Sequence, residues 1–359
     1  MKLVRTSNLQ ANMVIAQPIY DDRGRVLIRE GISLTNTMIK RLINHGIAYV
    51  YVKSKLLENI QIDTGIDQQV RVDATNQIKQ TFKEFKNIQQ TVNAYLLMSK
   101  QNELGKVVKN ILTEINQFDQ AISLLTDILI ADDYTFQHSI NVTIYSLSIG
   151  KKLNLNEDAL LELGTGALLH DLGKIFIDQK ILKKSGKLTT AEFAEVKRHT
   201  QLGFEFLRDK TDFPLVIAHC AYQHHERLNG SGYPRNLVGE EIHPYAQIIA
   251  IADVFDAVTS HRIYREAMLP HEGLEILYAG AGELFNQKMV EAFRNSVIAY
   301  PNGLTVQLND KRVGVVVKQT KVCDRPIVLI TEENNNQLTT PYKIDLSKQV
   351  NITITATHV

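Results

Sequence analysis

The run LLHDLGKIFID, residues 168–178, sets a histidine, an aspartate and a lysine inside an otherwise apolar, helix-like stretch. A buried carboxylate without a partner is costly or is forced to neutralise, so Asp171 needs a compensating cation, and a metal ion would supply it. Adjacent helical positions diverge by about 100°. His170 can therefore hold one ion while the carboxylate of Asp171 reaches a second. Lys174 follows His170 by four residues and Asp171 by three, on the same helical face, where its ammonium can meet a phosphate or a leaving oxygen.

Other residues of the same chemistry follow the helical pattern: His138 in YTFQHSINV, His199 in KRHTQLG, the pair His224 and His225 in YQHHERLNGSGYP, and Asp253 in IIAIADVFDAVTS. Singly each is a weak signal, since a lone histidine on a half-apolar helix more often caps or packs than ligates. Jointly they offer five imidazoles and two carboxylates, a donor set that suits iron or manganese and also accepts zinc, cobalt or nickel. Asp253, in its apolar run, is either a ligand or part of a buried salt bridge, whereas Asp256 reads as a structural residue hydrogen-bonded within the helical core. Gly203, four residues after His199, leaves one helix face open beside that imidazole. Gly164, Gly166 and Gly173 each disfavour a helix by about 1 kcal/mol, which points to close helix packing, either around the site or elsewhere. Glu226 either orients an imidazole or pairs with Arg227. His219 is a packing residue or a hydrogen-bond partner of a ligand, and Cys220 a small buried apolar residue. His45, His243, His261, His271 and His358 read as surface, capping or packing residues.

The elements that must position these groups follow from the pattern along the chain, which is mainly α. Residues 1–66 form a small α+β module: short β-like runs, a helix in SLTNTMIKRLINHG capped by Ser33 or Thr35 and ended by Gly46, then the strand IAYVYV. Residues 67–109 are a connecting helical segment whose apolar positions recur at helical intervals; it either links domains or pairs with a second copy as a homodimer. Residues 110–300 carry the helical pattern and every candidate ligand. Beyond YPNG the period changes to two, in LTVQL, RVGVVV and PIVLI, so residues 301–359 form a small β domain.

The 359-residue length suggests more than one domain, and 44% hydrophobic with 22% charged residues is ordinary for a globular chain. A net charge of +1 argues against a nucleic-acid polymer as partner. Two cysteines give no disulfide framework and fit a reducing compartment. No stretch approaches the roughly 20 apolar residues of a membrane span, and the start lacks the about 7–15-residue apolar core of a signal peptide. These features lead to the expectation of a cytoplasmic protein without membrane insertion.

In order and spacing, HDLGK, HHERLNGSGYP and DVFDAVTSHRIYR make residues 110–300 resemble the HD-GYP proteins, bacterial members of the HD phosphohydrolase superfamily that degrade cyclic di-GMP. The resemblance implies an all-helical metal-dependent phosphohydrolase core and a binuclear centre, with His138, His170, Asp171, His199, His224, His225 and Asp253 as ligands and Asp171 bridging. It makes Lys174 the cation near the scissile phosphate, Arg262 and Arg265 the phosphate grips, and Gly232, Tyr233 and Pro234 the loop that gives the family half its name. Tyr134 stands where three-metal members carry glutamate, which favours two divalent ions. Asn229 replaces the usual aspartate, and Asp178 and Ile263 fall where proline is common. Tyr233 is read either as stacking on a guanine or as a packed loop residue.

The activity expected from this resemblance is hydrolysis of cyclic di-GMP to pGpG, GMP or both, in second-messenger signalling. Two metals about 3.5–4 Å apart lower the pKa of a water held between them and neutralise the phosphate. Other readings are a cyclic dinucleotide receptor with little turnover, an HD hydrolase for another cyclic dinucleotide, and contact with a protein partner through the GYP loop or the flanking modules.

Overall fold

The computed structural model describes all residues except 22–24, 55–56, 58–65, 89–93, 118–128, 131–133, 185 and 261–266. Its centre is helical. In chain order the helices are α1 (Asn36–Asn44), α2 (Gln68–Ile88), α3 (Ala94–Gln117), α4 (Tyr134–Lys152), α5 (Glu157–Leu169), α6 (Gln179–Leu182), α7 (Thr190–Lys197), α8 (His199–Lys210), α9 (Leu215–Gln223), α10 (Pro244–Thr259), α11 (Pro270–Ala279) and α12 (Gln287–Arg294). The strands are β1 (Lys2–Arg5), β2 (Ile19–Asp21), β3 (Val26–Ile28), β4 (Tyr49–Val52), β5 (Leu129–Ile130), β6 (Thr305–Leu308), β7 (Val313–Lys318), β8 (Ile327–Glu333), β9 (Asn336–Asp345) and β10 (Ile354–His358). The expected mainly helical core with small flanking β modules is what the structure shows.

Local chemistry sets the helix ends. Thr35 caps α1 by accepting from the Met38 amide at 3.2 Å, and Asn156 caps α5 by accepting from Ala159 N at 2.9 Å. Thr189 and Glu192 form a reciprocal capping box at α7. His243 caps α10, its Nδ1 accepting from Tyr245 N at 3.2 Å, which is the capping role expected for it. His271 packs by stacking on Tyr300, ring centres 4.9 Å apart.

Helix α4 runs through the middle of the core, with Ile140, Ile144 and Leu147 fully buried. Its interior serines and threonines stay satisfied by bonding back one turn, as Thr143 does to Ser139 O and Ser148 to Ile144 O, both at 2.7 Å. Phe255 of α10 packs edge-on against Tyr145 of α4 and against Phe293 of α12. The apolar face of the connecting segment is used inside the chain: Ile78, Phe82 and Phe85 of α2 and Leu104, Val108 and Ile111 of α3 join this same core.

The flanks, distant in sequence, share a second core. Strand β1 pairs antiparallel with β4, and β2 pairs antiparallel with β3 and parallel with β5. Strands β10, β6, β7, β8 and β9 form, in that order, a sheet whose ladders are all antiparallel. Leu3, Tyr49 and Tyr51 from the amino-terminal side are buried together with Leu304, Val306, Val316, Val328 and Ile330. The Tyr51 hydroxyl donates to Asn302 O at 3.0 Å, and the Tyr49 hydroxyl to Ala267 O at 2.9 Å.

Candidate metal centre

Helix α5 ends at Leu169, so His170 and Asp171 stand at its carboxyl-terminal end, and a 3-10 turn over Leu172–Phe176 carries Lys174. The continuous helix expected through residues 168–178 is therefore broken. The reason is the approach of α8: a Cβ on Gly173 would lie 1.9 Å from His199 O. Gly173 brings Asp171 and His199 together by being absent of side chain. The face beside Gly203, expected to be open, is filled by the backbone of Gly173, 3.2 Å from a Cβ built at Gly203. Gly164 and Gly166 instead pack against Val108 and Cys220.

His138, His170, Asp171, His199 and His224 are all at least 98% buried, and Asp253 is 7% exposed. They converge with His225. The donor atoms fall in two groups, His138 with His170 and Asp171, and Asp171 with His199, His224 and His225, each within 4.8 Å of one another. Asp171 belongs to both. Its Oδ1 lies 3.4 Å from His199 Nε2 and 3.9 Å from His224 Nε2, while Oδ2 lies 3.3 Å from His170 Nε2 and 3.7 Å from His138 Nε2. Asp253 sits between the groups, 3.2 Å from His138 Nε2 and 3.7 Å from His225 Nδ1.

The tautomers are fixed by what holds the outer nitrogens. Carbonyl and carboxylate oxygens only accept, so each Nδ1 facing one must donate. The Nδ1 of His170 donates to Ala167 O at 2.7 Å, that of His199 to Val196 O at 2.7 Å, and that of His224 to Ala221 O at 3.0 Å. These are carbonyls in the final turns of α5, α7 and α9, where helices leave such groups unpaired. His138 lies inside α4, and its Nδ1 donates instead to Asp256 Oδ2 at 2.7 Å. Asp256 thus has the expected structural role, and it also aims one of the imidazoles.

With Nδ1 donating, the Nε2 lone pairs of His170, His199 and His224 point inward, while His138 Nε2 faces Asp253 Oδ1 at 3.2 Å. His199 Nε2 and His224 Nε2 face each other at 3.3 Å, an unfavourable meeting of two acceptors unless a cation lies between them. His170 Nε2 and Asp171 Oδ1 are buried with no hydrogen-bond partner. Such orphans demand a reason, and this donor set fits divalent metal ions. Electrostatics agree. Burial pushes His199 down to about 4 and holds His224 and His225 well below the usual imidazole range, so all three are neutral and able to ligate. Burial also opposes ionisation of Asp171, but Lys174 and His170 outweigh it and hold that acid well below its usual range. For Asp253 burial is likewise outweighed, by the hydrogen bond and charge of His138 and by His225. At His138 burial acts downward, yet hydrogen bonds with Asp253 and Asp256 win and hold it at about 9.

Lys174 Nζ donates to Asp171 Oδ2, and its side chain is 27% exposed, at the mouth of the cluster. Tyr233 packs on the imidazole of His225, ring centres 4.6 Å apart at 29°. The Lys197 ammonium lies 5.5 Å from the centre of the same Tyr233 ring and 5.1 Å from that of Phe193. Tyr233 is therefore a packed loop residue that covers His225. Gly232 allows close approach, since a Cβ there would be 2.4 Å from Glu226 Cα; Pro234 follows a cis peptide. Glu226 neither orients an imidazole nor pairs with the Arg227 guanidinium, as expected of it. Its buried carboxylate accepts from Arg235 N at 2.8 Å and Leu237 N at 3.1 Å and so ties down the GYP loop. Asn229 closes the turn before that loop by accepting from Ser231 N at 3.1 Å, and Asp178 caps α6. Arg262 and Arg265 fall outside the described residues, as do His261, Ile263 and the side chain of Tyr134. Among the described residues no helix is long and apolar enough to cross a membrane.

A helical core closed around imidazoles that share one carboxylate defines a His/Asp metal-site domain. Residues 120–289 match the HD domain family, and this segment carries the HD pair and the GYP loop by which the sequence resembles the HD-GYP proteins. A cyclic di-GMP phosphodiesterase of Pseudomonas aeruginosa is 34% identical over 213 residues, covering 59% of this chain and 51% of that protein. The cyclic di-GMP phosphodiesterase response regulator of Xanthomonas campestris pv. campestris is 45% identical over 145 residues, 40% of this chain and 38% of its own. A 3'3'-cGAMP-specific phosphodiesterase of Vibrio cholerae is 34% identical over 172 residues, 48% of this chain and 37% of its own. The chain thus spans about half the length of the first of these relatives and less of the others.

Proposed function

We propose that the protein is a metal-dependent phosphodiesterase that hydrolyses cyclic di-GMP, with pGpG, GMP or both as products. The observation that carries this reading is Asp171, one buried carboxylate facing two groups of inward-pointing imidazole nitrogens, with an ammonium beside it. His138, His170, Asp171, His199, His224, His225 and Asp253 are the proposed ligands of two divalent ions, iron or manganese by donor type. Bound there, the ions would supply Lewis acidity to the phosphoryl group and to water.

The chain's own residues do the rest. The three carbonyls and Asp256 hold the imidazoles in one tautomer, so the site needs little reorganisation on loading. Asp171 offers one oxygen to each group. Hydrolysis forms a bond from water oxygen to phosphorus and breaks the bond from phosphorus to the ribose oxygen, which must gain a proton. Lys174, partly exposed at the mouth, is placed to give that proton or to neutralise the leaving oxygen. Arg262 and Arg265 are proposed to grip phosphate oxygens, on the strength of their place in DVFDAVTSHRIYR. The two cysteines are free, which suits a cytoplasmic setting, and the division at residues 66, 109 and 300 keeps every proposed ligand within one unit.

A second substrate reading, 3'3'-cGAMP, is supported by the Vibrio cholerae relative. One assay separates the readings: the full chain, reconstituted anaerobically with iron or manganese, is incubated with each dinucleotide and the products are resolved over time. Faster turnover of cyclic di-GMP is expected. Metal-loaded protein that hydrolyses neither would leave it a receptor rather than an enzyme.

A further inference from the structure

We propose that Arg71, on α2 and outside the matched HD domain segment, is a positioning residue of the metal centre. It acts on His138 through Asn141 and Asp256. The inference rests on the metal-site reading above. In sequence, Arg71 looks like a solvent-facing cation on a polar amphipathic helix. In the structure it is 1% exposed and its Nη2 donates to Asn141 Oδ1 at 2.7 Å. Asn141 lies on α4, one turn after His138, and its Nδ2 donates to Asp256 Oδ1 at 2.7 Å. The other oxygen of Asp256 holds His138 Nδ1 at 2.7 Å.

The relay has a direction. A guanidinium only donates and a carboxylate only accepts, so an amide between them fits one way round. Gln137 reinforces this, donating from Nε2 to the same Asn141 Oδ1 at 3.0 Å. With its oxygen occupied by two donors, Asn141 must present its NH2 to Asp256. That leaves Asp256 Oδ2 for His138 and aims His138 Nε2 at Asp253 and Asp171. Without Arg71 only the longer bond from Gln137 holds the amide oxygen, and a turned amide sets that oxygen against the Asp256 carboxylate. The groups His170, His199 and His224 have no share in this chain, since backbone carbonyls anchor them. Arg71 should therefore govern one ion, that of His138, His170 and Asp171, and leave the other alone.

Three variants of the full chain test this with Mn2+ as probe, reading ions bound per chain and the affinity of each by equilibrium dialysis, with thermal melting of the metal-free protein alongside. Arg71→Met removes the donor. Asn141→Asp is isosteric, keeps an acceptor for Arg71 and removes the donor to Asp256, so it stays informative if Arg71→Met does not fold. The expected result is a loss of about 10–100-fold in the affinity of one ion, the scale typical of groups that orient a ligand, with the second ion unchanged. Arg71→Lys should fall between. Wild-type affinity for both ions in folded Asn141→Asp overturns the proposal, as does equal weakening of both ions in step with a lower melting temperature. Wild-type protein that binds no Mn2+ overturns the metal-site reading itself, and the relay with it.

Discussion

The imidazoles of this centre are held in two different ways, and the contrast explains much of the site. His170, His199 and His224 stand at the ends of helices and use carbonyls three residues back, at Ala167, Val196 and Ala221. Their anchors come with the helix end itself. His138 sits within α4, where backbone carbonyls already serve the helix, and it borrows a carboxylate 118 residues away in sequence. Local anchoring makes a ligand as reliable as its helix terminus. Distant anchoring makes it depend on how α2, α4 and α10 come together.

Predictions that probe this contrast begin with the residue both halves share. Asp171→Ala removes the one anion facing every imidazole, and loss of both bound ions and of all hydrolysis is expected, checked by elemental analysis and product formation; retention of two ions would separate the halves completely. Lys174→Ala should leave both halves loaded but lower kcat by about 10²–10⁴-fold, as for a positioned proton donor. Released metal would instead make the Lys174–Asp171 contact a structural one. Asp256→Asn tests the distant anchor. Its amide can accept from His138 Nδ1 only by turning its NH2 toward Asn141 Nδ2, so one contact must fail, and the affinity of one ion should drop by about 10–100-fold in metal titration while the other holds.

The smallest effect is on pH dependence of the chelator-treated protein. His199, held at about 4 against 6.5 in the unfolded chain, leaves the unfolded state binding more protons between those values. Stability should therefore fall as pH drops from 6.5 toward 4, by up to about 1.4 kcal/mol per pH unit for each such imidazole, with His224 and His225 adding in the same direction. His138, held up at about 9, contributes stability below 6.5 that is lost as pH rises through 9. Thermal melting should thus peak near pH 6.5. A flat profile across pH 4 to 9 would contradict the opposite states assigned to the two kinds of imidazole.

Asp171 and Asp253 stood out in the sequence because a carboxylate in an apolar run needs a partner, whereas His199, His224 and His225 lie in polar stretches and, like the role of Lys174, were picked out by the joint pattern and its resemblance to a family. The helix, strand and turn pattern of the flanks was legible from local residue type and spacing, including Gly46 at the end of α1 and a cap at Ser33 or Thr35, of which Thr35 is the one that caps. The end of α5 at Leu169 was not. It depends on Gly173 meeting His199 O across a helix contact, which no periodicity in LLHDLGKIFID reveals. Glu226 and Arg71 were hidden more deeply. Each is a charged residue whose sequence neighbours do not announce burial: Glu226 is covered by its own returning loop and Arg71 is buried with its guanidinium on Asn141 of α4.

The shared core of the flanks bears on the order in which the chain assembles. The contact of Tyr51 with Asn302 closes a span of 251 residues, and closing so long a flexible loop costs about 5 kcal/mol of chain entropy. That cost is met only after the helices between have condensed and carried the two ends into reach. The sheet of β6 to β10 is itself built largely from sequential hairpins, so what that cost is expected to delay is its docking on β1 and β4, and undocking is the opening expected to leave the helices and their imidazoles standing.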